Sequence, residues 1–553
     1  MRVSLQLLPV ACLAGTAAAA FHATPAYLRA AADDDTPPPD ISPRIKAYNF
    51  SVPVDHFHNE TKYAPHSDDT YPLRYWLDTS NYRPGGPVIV LHSGEFDSVG
   101  RLPYLDHGIV PLLTAATGGV GLVMEHRYYG TSWPVPDTSV DNMRFLTTDQ
   151  ALADTAYFAK HISFPGLERR NLTAPGTPWI IYGGSYAGGF VAMLRKLYPD
   201  VYWGAISSSG VTAAVESFWQ YHEAFRNFAP AGCSDAQQAL IDIVDTILFS
   251  GQRDEVDDLK KMFHLDGLQD DEFGHIISGP LSGLQSTNWA TEDDADAVAF
   301  YCATITSTAR LFASTAHLEA KAKHFTKLGG HGRHLKQRSA QFLNWAGYTR
   351  NMNKKAKASS CKGLTNAECY SQRHVPDEPV ISNNMYRPWL WQTCTEWGYF
   401  QNGEHVPKDR LPLLSRAVTL EYTTTNCRRF FNITTPPNVD IINKHGGFNF
   451  SYPRLAIIDG KQDPWRAATP HADGQPDRAS TTSEPYLMID WGVHHWDEFG
   501  PRPNLDEEGL PPKQVVDNQQ QQVEFVKAWL KEWHEEKKEN EENKEEDDGF
   551  VEL

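Results

Sequence analysis

A serine, an aspartate and a histidine occur in this chain in an order and a local context that could perform acyl transfer. Ser185 lies in the segment GGSYAGG, between a run of β-branched and aromatic residues, 179–182, and a segment of helical composition. Asp463 and His494 come much later, and each follows a short apolar run. A serine at a sharp strand-to-helix turn, followed along the chain by an acid and then a histidine, is the pattern of a nucleophile elbow with its triad.

These side chains predict hydrolysis through an acyl-enzyme. A serine hydroxyl is a weak nucleophile until a base removes its proton, and neutral His494 is the expected base. Asp463 would hold the imidazole in the correct tautomer and stabilise the imidazolium. The developing oxyanion needs fixed N–H donors. We expect the first to be the backbone N–H of Tyr186 and the second to come from the loop near Gly94 or Glu95.

The residues leave alternatives open at two positions. Asp459 lies closer to its apolar run than Asp463 does, although the glycine after it favours a turn. His495 is adjacent to His494 and could exchange roles with it. Two adjacent histidines could also suggest a metal, but no third ligand lies at a suitable spacing. Neither a metal nor another cofactor is therefore expected.

The three residues need a scaffold that brings distant segments together. Short apolar runs predict buried strands at 87–91, 121–124, 179–182, 203–207, 455–458 and 486–489. Residues 147–161 are amphipathic and predict a helix between two of these strands. Apolar strands that alternate with helices are typical of a parallel sheet covered on both faces, and functional loops gather at the carboxyl ends of its strands. The sequence therefore predicts an α/β-hydrolase fold.

The strand pattern stops near residue 213 and resumes near residue 418. The residues between are mostly helical and amphipathic, which predicts a helical cap domain inserted into the α/β-hydrolase domain. The predicted organisation is a signal peptide at 1–20, a propeptide or disordered leader at 21–44, the first part of the hydrolase domain at 45–213, the cap at 214–417, the second part of the hydrolase domain at 418–534 and a disordered acidic tail at 535–553.

The amino terminus predicts export. Arg2 precedes a mostly apolar run at 3–13, and small residues with an A-x-A site follow at 18–20. The expected destination is the extracellular space, or the lumen of a vacuole or lysosome. Glycosylation sequons begin at Asn49, Asn59, Asn171, Asn432 and Asn449. Six cysteines follow the signal peptide, and an oxidising compartment favours disulfides, although sequence alone does not choose their pairing.

Composition excludes several classes of partner. The chain has 553 residues, of which 41% are hydrophobic and 12% aromatic, so it can form a substantial core. Its formal net charge is −19 without a basic stripe, which argues against nucleic acid and anionic membranes as partners. No later segment has the roughly 18 continuous apolar residues that span a bilayer. The oligomeric state cannot be inferred from these features.

Six motifs carry a resemblance to a known family. They are EHRYYGTSWP at 125–134, LTTDQALAD at 146–154, GGSYAGG at 183–189, QTCTEWGYF at 392–400, DPW at 463–465 and VHHWD at 493–497. With these motifs the chain resembles the serine carboxypeptidase S28 family, which includes lysosomal Pro-Xaa carboxypeptidase, dipeptidyl peptidase II and fungal prolyl endopeptidases. The resemblance implies that Ser185, Asp463 and His494 form the triad.

The resemblance also implies a substrate. It implies cleavage of peptides on the carboxyl side of proline, either at a terminus or internally, with Trp465 of DPW in the proline pocket. Trp496 is a candidate second wall, and Glu95 a candidate pocket residue. Ser93–Phe96 is less rich in glycine than the corresponding family loop, which bears on Gly94 as second oxyanion donor and on recognition of the substrate terminus.

Two other functions remain open at this stage. An esterase or lipase could use the same triad, and an inactive secreted protein could bind ligands without hydrolysing them, although the intact triad argues against the second. The motif at 125–130 could be catalytic, but a buried scaffold of ion pairs and tyrosines is favoured.

Overall fold

A computed structural model describes residues 40–290, 295–382, 385–501 and 509–549 of the chain. The predicted signal peptide lies outside the described residues, as does the predicted leader up to residue 39. Within the described ranges, no helix is both long enough and apolar enough to cross a membrane.

The described part of the chain contains ten strands. They are β1 (Lys46–Pro53), β2 (Thr70–Asp78), β3 (Val88–His92), β4 (Val120–Met124), β5 (Trp179–Gly184), β6 (Gly204–Ser208), β7 (Val215–Ser217), β8 (Gly398–Phe400), β9 (Leu455–Gly460) and β10 (Tyr486–Ile489).

The α-helices fall into three groups along the chain. The first group is α1 (Leu102–Asp106), α2 (Ile109–Thr117), α3 (Val140–Met143), α4 (Thr148–His161) and α5 (Tyr186–Leu197). The second is α6 (Glu223–Phe228), α7 (Cys233–Leu248), α8 (Arg253–Met262), α9 (Asp270–Ser278), α10 (Gly283–Ser286), α11 (Ala295–Thr306), α12 (Glu319–Leu328), α13 (Leu335–Ala358) and α14 (Asn366–Tyr370). The third is α15 (Tyr386–Gln392), α16 (Leu420–Thr423), α17 (Thr425–Phe431), α18 (Asp440–Asn443) and α19 (Lys513–Gly549).

The six predicted strands, together with β1 and β2, form one eight-stranded sheet in the order β1-β2-β4-β3-β5-β6-β9-β10. Within this sheet, β4, β3, β5, β6, β9 and β10 run parallel to one another. Strands β2 and β1 continue the sheet beyond β4, and each is antiparallel to the strand before it. Strands β3, β4, β5 and β6 are buried along their whole length because helices cover both faces, which explains the apolar runs in β3, β4 and the first part of β5. This arrangement confirms the predicted α/β-hydrolase fold.

Two hydrophobic clusters cover the two faces of the sheet. On one face, α4 and α5 contribute Phe158 and Phe190. On the other, α1 and α2 pack beside α19, which buries Val526 and Trp529. The apolar stripe of the last helix is therefore part of the core, as its helical spacing predicts.

The helices between residues 223 and 370 have a hydrophobic cluster of their own, and the buried side chains of that cluster all lie between Phe225 and Ala417. Two disulfides lie within these helices, Cys233–Cys302 and Cys361–Cys369, and a third joins Cys394 to Cys427. Strand β7 precedes the helices and pairs with β8, which follows them. This short parallel pair was not predicted, and it holds the two ends of the helical region together.

The carboxyl-terminal segment differs from the predicted disordered tail. Helix α19 continues to Gly549 without a break. Its charged part is rich in lysine and glutamate, which are good helix formers. Pairs four residues apart, Lys531–Glu535 and Lys538–Glu542, add support along the exposed surface. The composition that predicts a solvated segment is thus also compatible with a solvated helix.

Candidate active site

Ser185 occupies a strained turn between β5 and α5. Its backbone has φ 61° and ψ −127°, a conformation that a non-glycine residue adopts only when the surroundings enforce it. A Cβ on Gly183 would lie 2.2 Å from the carbonyl oxygen of Ala187, so the turn tolerates no larger residue there. The Ser185 N–H donates to the carbonyl of Ser208 on the neighbouring strand, at 2.9 Å. The local sequence therefore forms the elbow that its glycines predict.

Strand register brings the other two residues to the same edge of the sheet. Gly184 pairs with Ser208, which pairs in turn with Ile458 of β9. Gly460, at the end of β9, pairs with Ile489, the last residue of β10. The loops that carry Ser185, Asp463 and His494 thus all leave the carboxyl ends of neighbouring strands.

Asp463 and His494 form a buried pair. The His494 Nδ1 lies 2.8 Å from Asp463 Oδ2, and both residues are at most 5% exposed. The other carboxylate oxygen of Asp463 accepts the Trp465 N–H at 2.8 Å. Burial alone would raise the pKa of Asp463, but the charge and hydrogen bond of His494 and the Trp465 N–H lower it below its ordinary value. Asp463 is therefore held as a carboxylate that orients the imidazole.

The opposite nitrogen of His494 is available for a substrate or nucleophile. His494 Nε2 is buried and has no hydrogen-bond partner among the described residues. In the neutral form of a ring whose Nδ1–H is held by a carboxylate, Nε2 carries no proton and can accept one.

The alternative acid, Asp459, belongs to a different pair. Its Oδ2 accepts hydrogen bonds from the Thr469 hydroxyl at 2.9 Å and from His471 Nδ1 at 2.7 Å. Burial raises the pKa of Asp459, and the charge of Asp463 raises it further. In this structure Asp459 pairs with His471, whereas Asp463 pairs with His494.

The alternative histidine, His495, is turned away from Asp463. Its ring stacks on Phe499, its Nδ1 lies 2.8 Å from Glu498 Oε2, and its backbone N–H donates to the Ser209 hydroxyl. Burial lowers its pKa, and the neighbouring charge of His494 acts in the same direction. His495 therefore contributes to the wall beneath the elbow rather than to the Asp463 pair.

The loop after β3 lies against the elbow. Gly94 has φ 67°, and a Cβ there would lie 3.2 Å from the Ala187 Cβ and 3.7 Å from the Tyr186 ring. Its N–H donates to His92 Nδ1 over a long 3.3 Å. Tyr186 is the first residue of α5, so no earlier turn of that helix supplies an acceptor for its N–H. Both expected oxyanion donors are thus neighbours of Ser185.

Glu95, on the same loop as Gly94, is a buried carboxyl group with a raised pKa. It is only 1% exposed, and its Oε1 has no hydrogen-bond partner in the described part of the chain. Burial raises its pKa to about 7, although the nearby Arg101 opposes the shift. Glu95 therefore passes between its neutral and charged forms near neutral pH.

Trp465 lies in an aromatic group beside the Asp463–His494 pair. Its ring is 6.4 Å from the His494 ring and between 5.2 and 5.5 Å from the rings of Phe218, Tyr221 and Tyr399. Its indole N–H donates to Gln285 of the helical region at 2.7 Å. The partners of Trp465 were missed by sequence reasoning, although Tyr399 lies inside the QTCTEWGYF motif.

Trp496 makes different contacts. Its indole N–H donates to the carbonyl of Thr287, and its own carbonyl accepts the indole N–H of Trp289. It packs with the cluster on the α19 face of the sheet, whereas Trp465 packs with the opposite cluster. The structure therefore does not bring the two predicted pocket tryptophans into one group.

Asp497 anchors the loop that carries His494, another role that sequence reasoning missed. Its buried carboxyl accepts hydrogen bonds from Tyr182 of β5, Ser208 of β6 and Gln522 of α19. Burial raises the pKa of Asp497, and these donors oppose the shift. Its presence in the VHHWD motif was the only available signal.

The motif at 125–130 is a scaffold, as favoured from the sequence. Arg127 is buried and makes a two-pronged contact with Asp154 of α4. Glu125 pairs with Arg74 of β2 at 2.6 Å. The Tyr186 ring is held from behind, since its hydroxyl lies 3.1 Å from His126 Nε2.

Comparison with known proteins places the chain in a family. The family described as serine carboxypeptidase S28 matches residues 53–511. A protein of Arthroderma benhamiae named probable extracellular serine carboxypeptidase is 46% identical over 498 residues, which cover 89% of this chain and 69% of that protein. Serine protease vicPb of Bipolaris victoriae is 27% identical over 83% of this chain and 85% of its own length. Thymus-specific serine protease of Mus musculus is 26% identical over 84% of each chain.

Proposed function

This chain belongs to the serine carboxypeptidase S28 family and is a serine-type peptidase, and we propose that it releases carboxyl-terminal residues that follow proline. The observation that carries the catalytic assignment is the buried Asp463–His494 pair beside the strained elbow of Ser185. His494 Nε2 takes the Ser185 proton as the hydroxyl attacks the scissile carbonyl, and then returns it to the leaving amine. Water hydrolyses the resulting acyl-enzyme by the same steps.

The oxyanion is stabilised by backbone donors. We assign the first to the Tyr186 N–H, because it lies next to the nucleophile at the start of α5. The second is assigned to Gly94, whose contact with Ala187 supports a position over the same turn. The hydrogen bond from the Gly94 N–H to His92 Nδ1 is long, at 3.3 Å, and therefore weak. Little free energy is lost when a substrate oxygen replaces His92 as the acceptor.

The proline pocket is assigned to the aromatic group around Trp465. Proline presents a compact apolar ring without an N–H, so flat aromatic walls beside His494 suit it better than hydrogen-bonding groups do. Two of these walls, Phe218 and Tyr221, come from the segment between β7 and α6, near the start of residues 214–417. We propose that residues 214–417 act as a cap that completes the pocket. Trp496 stays a secondary candidate, acting through the cap segment that it binds.

Glu95 is proposed to receive the carboxylate of the substrate terminus. In its neutral form the carboxyl group can donate a hydrogen bond to a carboxylate, whereas its charged form would repel one. Its unpartnered oxygen and its pKa of about 7 support this role. The 46% identical relative is named a probable extracellular serine carboxypeptidase, which supports cleavage at the carboxyl terminus of the substrate.

Secretion is part of the proposal. The predicted signal peptide, the three disulfides and the extracellular relative support it. The asparagines of all five sequons are exposed, so each is accessible to a glycosyltransferase. Secreted protein should begin after residue 20 and lose mass on treatment with an N-glycosidase. Intact protein that retains its first residues and has no glycan would contradict this part.

One peptide set tests the activity. Peptides with a free carboxyl terminus and proline in the penultimate position should lose their last residue, and mass spectrometry would detect the product. Matched peptides with an amidated terminus should react much more slowly. Internal fragments would show an endopeptidase, and amino-terminal dipeptides would show a dipeptidyl peptidase. Rapid hydrolysis of acyl esters without cleavage of any peptide would favour the esterase instead.

A further inference from the structure

A cluster of metal-ligating side chains lies on the loop between β1 and β2, and the peptidase mechanism does not use it. Asp55, His58 and His66 each offer one ligand atom, and these three atoms lie within 4.8 Å of one another. The loop is closed at its base by a hydrogen bond from the Val54 N–H to the Asp69 carbonyl, at 3.0 Å. All three ligands therefore come from one short, anchored segment.

The aspartate is oriented by groups outside the cluster. Asp55 Oδ1 accepts the Gln150 side-chain amide at 2.7 Å and the Phe57 N–H at 2.9 Å. Its Oδ2 remains directed at His66 Nδ1, 2.7 Å away. Supporting contacts of this kind are characteristic of metal-binding carboxylates.

The two imidazoles are arranged face to face. The rings of His58 and His66 are stacked at 5.3 Å with an angle of 23° between them. Asp68 is an exposed neighbour of the cluster, and its Oδ1 lies 3.9 Å from His58 Nδ1.

We propose that Asp55, His58 and His66 bind one zinc ion. Two imidazoles and a carboxylate form a donor set that zinc prefers, with Asp68 or water in the fourth position. Calcium and magnesium prefer oxygen ligands and do not suit two histidines. No metal was expected from the sequence, because Asp55, His58 and His66 do not form a recognised metal-binding motif.

The site would act as a clip on the sheet edge. Through Gln150 the Asp55 carboxylate is attached to α4, which also carries the Asp154 partner of Arg127. Zinc would therefore tie the β1–β2 loop to a helix of the hydrolase core, which stabilises the folded state by mass action. It holds no reacting group, so its loss should not abolish hydrolysis.

Zinc titration of the full-length, chelator-treated protein tests the proposal. Calorimetry should give about one zinc per chain, and zinc should raise Tm whereas calcium should not. His58→Ala and His66→Ala should each weaken zinc binding by at least about tenfold, in line with the loss of one ligand. His161→Ala is the matched control, because His161 bonds to the Tyr157 carbonyl of its own helix and lies outside the cluster.

Cobalt gives a second readout. Cobalt in place of zinc should show the intense visible bands of tetrahedral coordination in the wild type and in His161→Ala, and not in His58→Ala. The His58 side chain is 48% exposed, so this variant should fold even if His66→Ala does not. Equal zinc affinity in the wild type and His58→Ala, or no zinc binding by the wild type, would overturn the proposal.

Discussion

Asp459 lies near the end of β9 and Asp463 lies just after that strand, and each makes a short hydrogen bond to a different histidine. The Asp459–His471 distance is 2.7 Å and the Asp463–His494 distance is 2.8 Å, and both carboxyl groups are buried. The two pairs differ in what lies beyond the imidazole. The His471 ring is stacked at 3.6 Å on Tyr486, whereas His494 lies beside Trp465 with its Nε2 unpartnered.

The two carboxyl groups also differ in charge preference. Burial raises the pKa of Asp459, while Asp463 has its pKa lowered because His494 and the Trp465 N–H outweigh burial. The presence of a hydrogen-bonded aspartate and histidine is therefore not enough to identify a catalytic pair. It becomes a candidate base only where the carboxylate stays charged and the far nitrogen of the imidazole faces a nucleophile.

The largest effect should come from removing the nucleophile. Ser185→Ala should lower kcat by on the order of 10⁶-fold, because only binding and the oxyanion donors remain. Both aspartate–histidine pairs should survive, so Tm should change little. A fluorophosphonate should label Ser185 in the wild type, as located by peptide mass spectrometry. Labelling of another serine, with an active variant, would place the nucleophile elsewhere.

Replacing each of the two aspartates by asparagine tests the comparison directly. Asp463→Asn should lower kcat by about 10⁴-fold, because an amide stabilises the wrong tautomer of His494. Asp459→Asn should leave kcat near the wild-type value and cost about 1 kcal/mol of stability through a weaker bond to His471. Kinetics and denaturant unfolding of both variants provide the measurement. A similar loss of kcat in the two would mean that the pairs are coupled.

Replacing the aromatic neighbours of the two histidines should change activity less than replacing Asp463 does. Trp465→Ala should lower kcat/KM for proline substrates by the equivalent of about 1–3 kcal/mol, from the apolar contact removed. Substrates with alanine in place of proline should lose much less, because the smaller side chain touches less of the wall. Tyr486→Ala, beside His471, is the control, and its effect should be on stability alone. An equal fall for both substrates in Trp465→Ala would make the tryptophan a scaffold.

Glu95 is a third buried carboxyl group, and its Oε1 has no hydrogen-bond partner in the described part of the chain. Replacing it should have the smallest effect on activity. Its folded pKa of about 7 exceeds its ordinary value, so its stabilising contribution is present at low pH and is lost as pH rises through about 7. Glu95→Gln keeps a neutral donor at all pH values. At pH 8 the variant should be more stable than the wild type by up to about 3 kcal/mol, and at pH 4 by little.

The activity of this variant should follow the same window. Wild-type kcat/KM for substrates with a free carboxyl terminus should fall as pH rises through about 7, as Glu95 becomes charged. Glu95→Gln should flatten that limb, and amidated substrates should not show it. Identical pH profiles for the wild type and the variant would remove Glu95 from terminus recognition.

Much of the scaffold was predictable because its signals are local. Continuous apolar runs, such as 121–124, predict strands that are buried on both faces, and the glycines around Ser185 predict the elbow. Chain order then suggested the acid and the histidine, because parallel strands carry their functional loops at one edge. These inferences use periodicity, residue size and order, all of which are properties of the chain before it folds.

What only the tertiary structure decided depends on distant segments meeting. The sequence offered both Asp459 and Asp463, and the path of their loops determines which histidine each one reaches. The same is true of the cysteine pairing and of the aromatic group that brings Phe218 to Trp465. Such contacts are set by packing between separate elements, and no local pattern of residues encodes them.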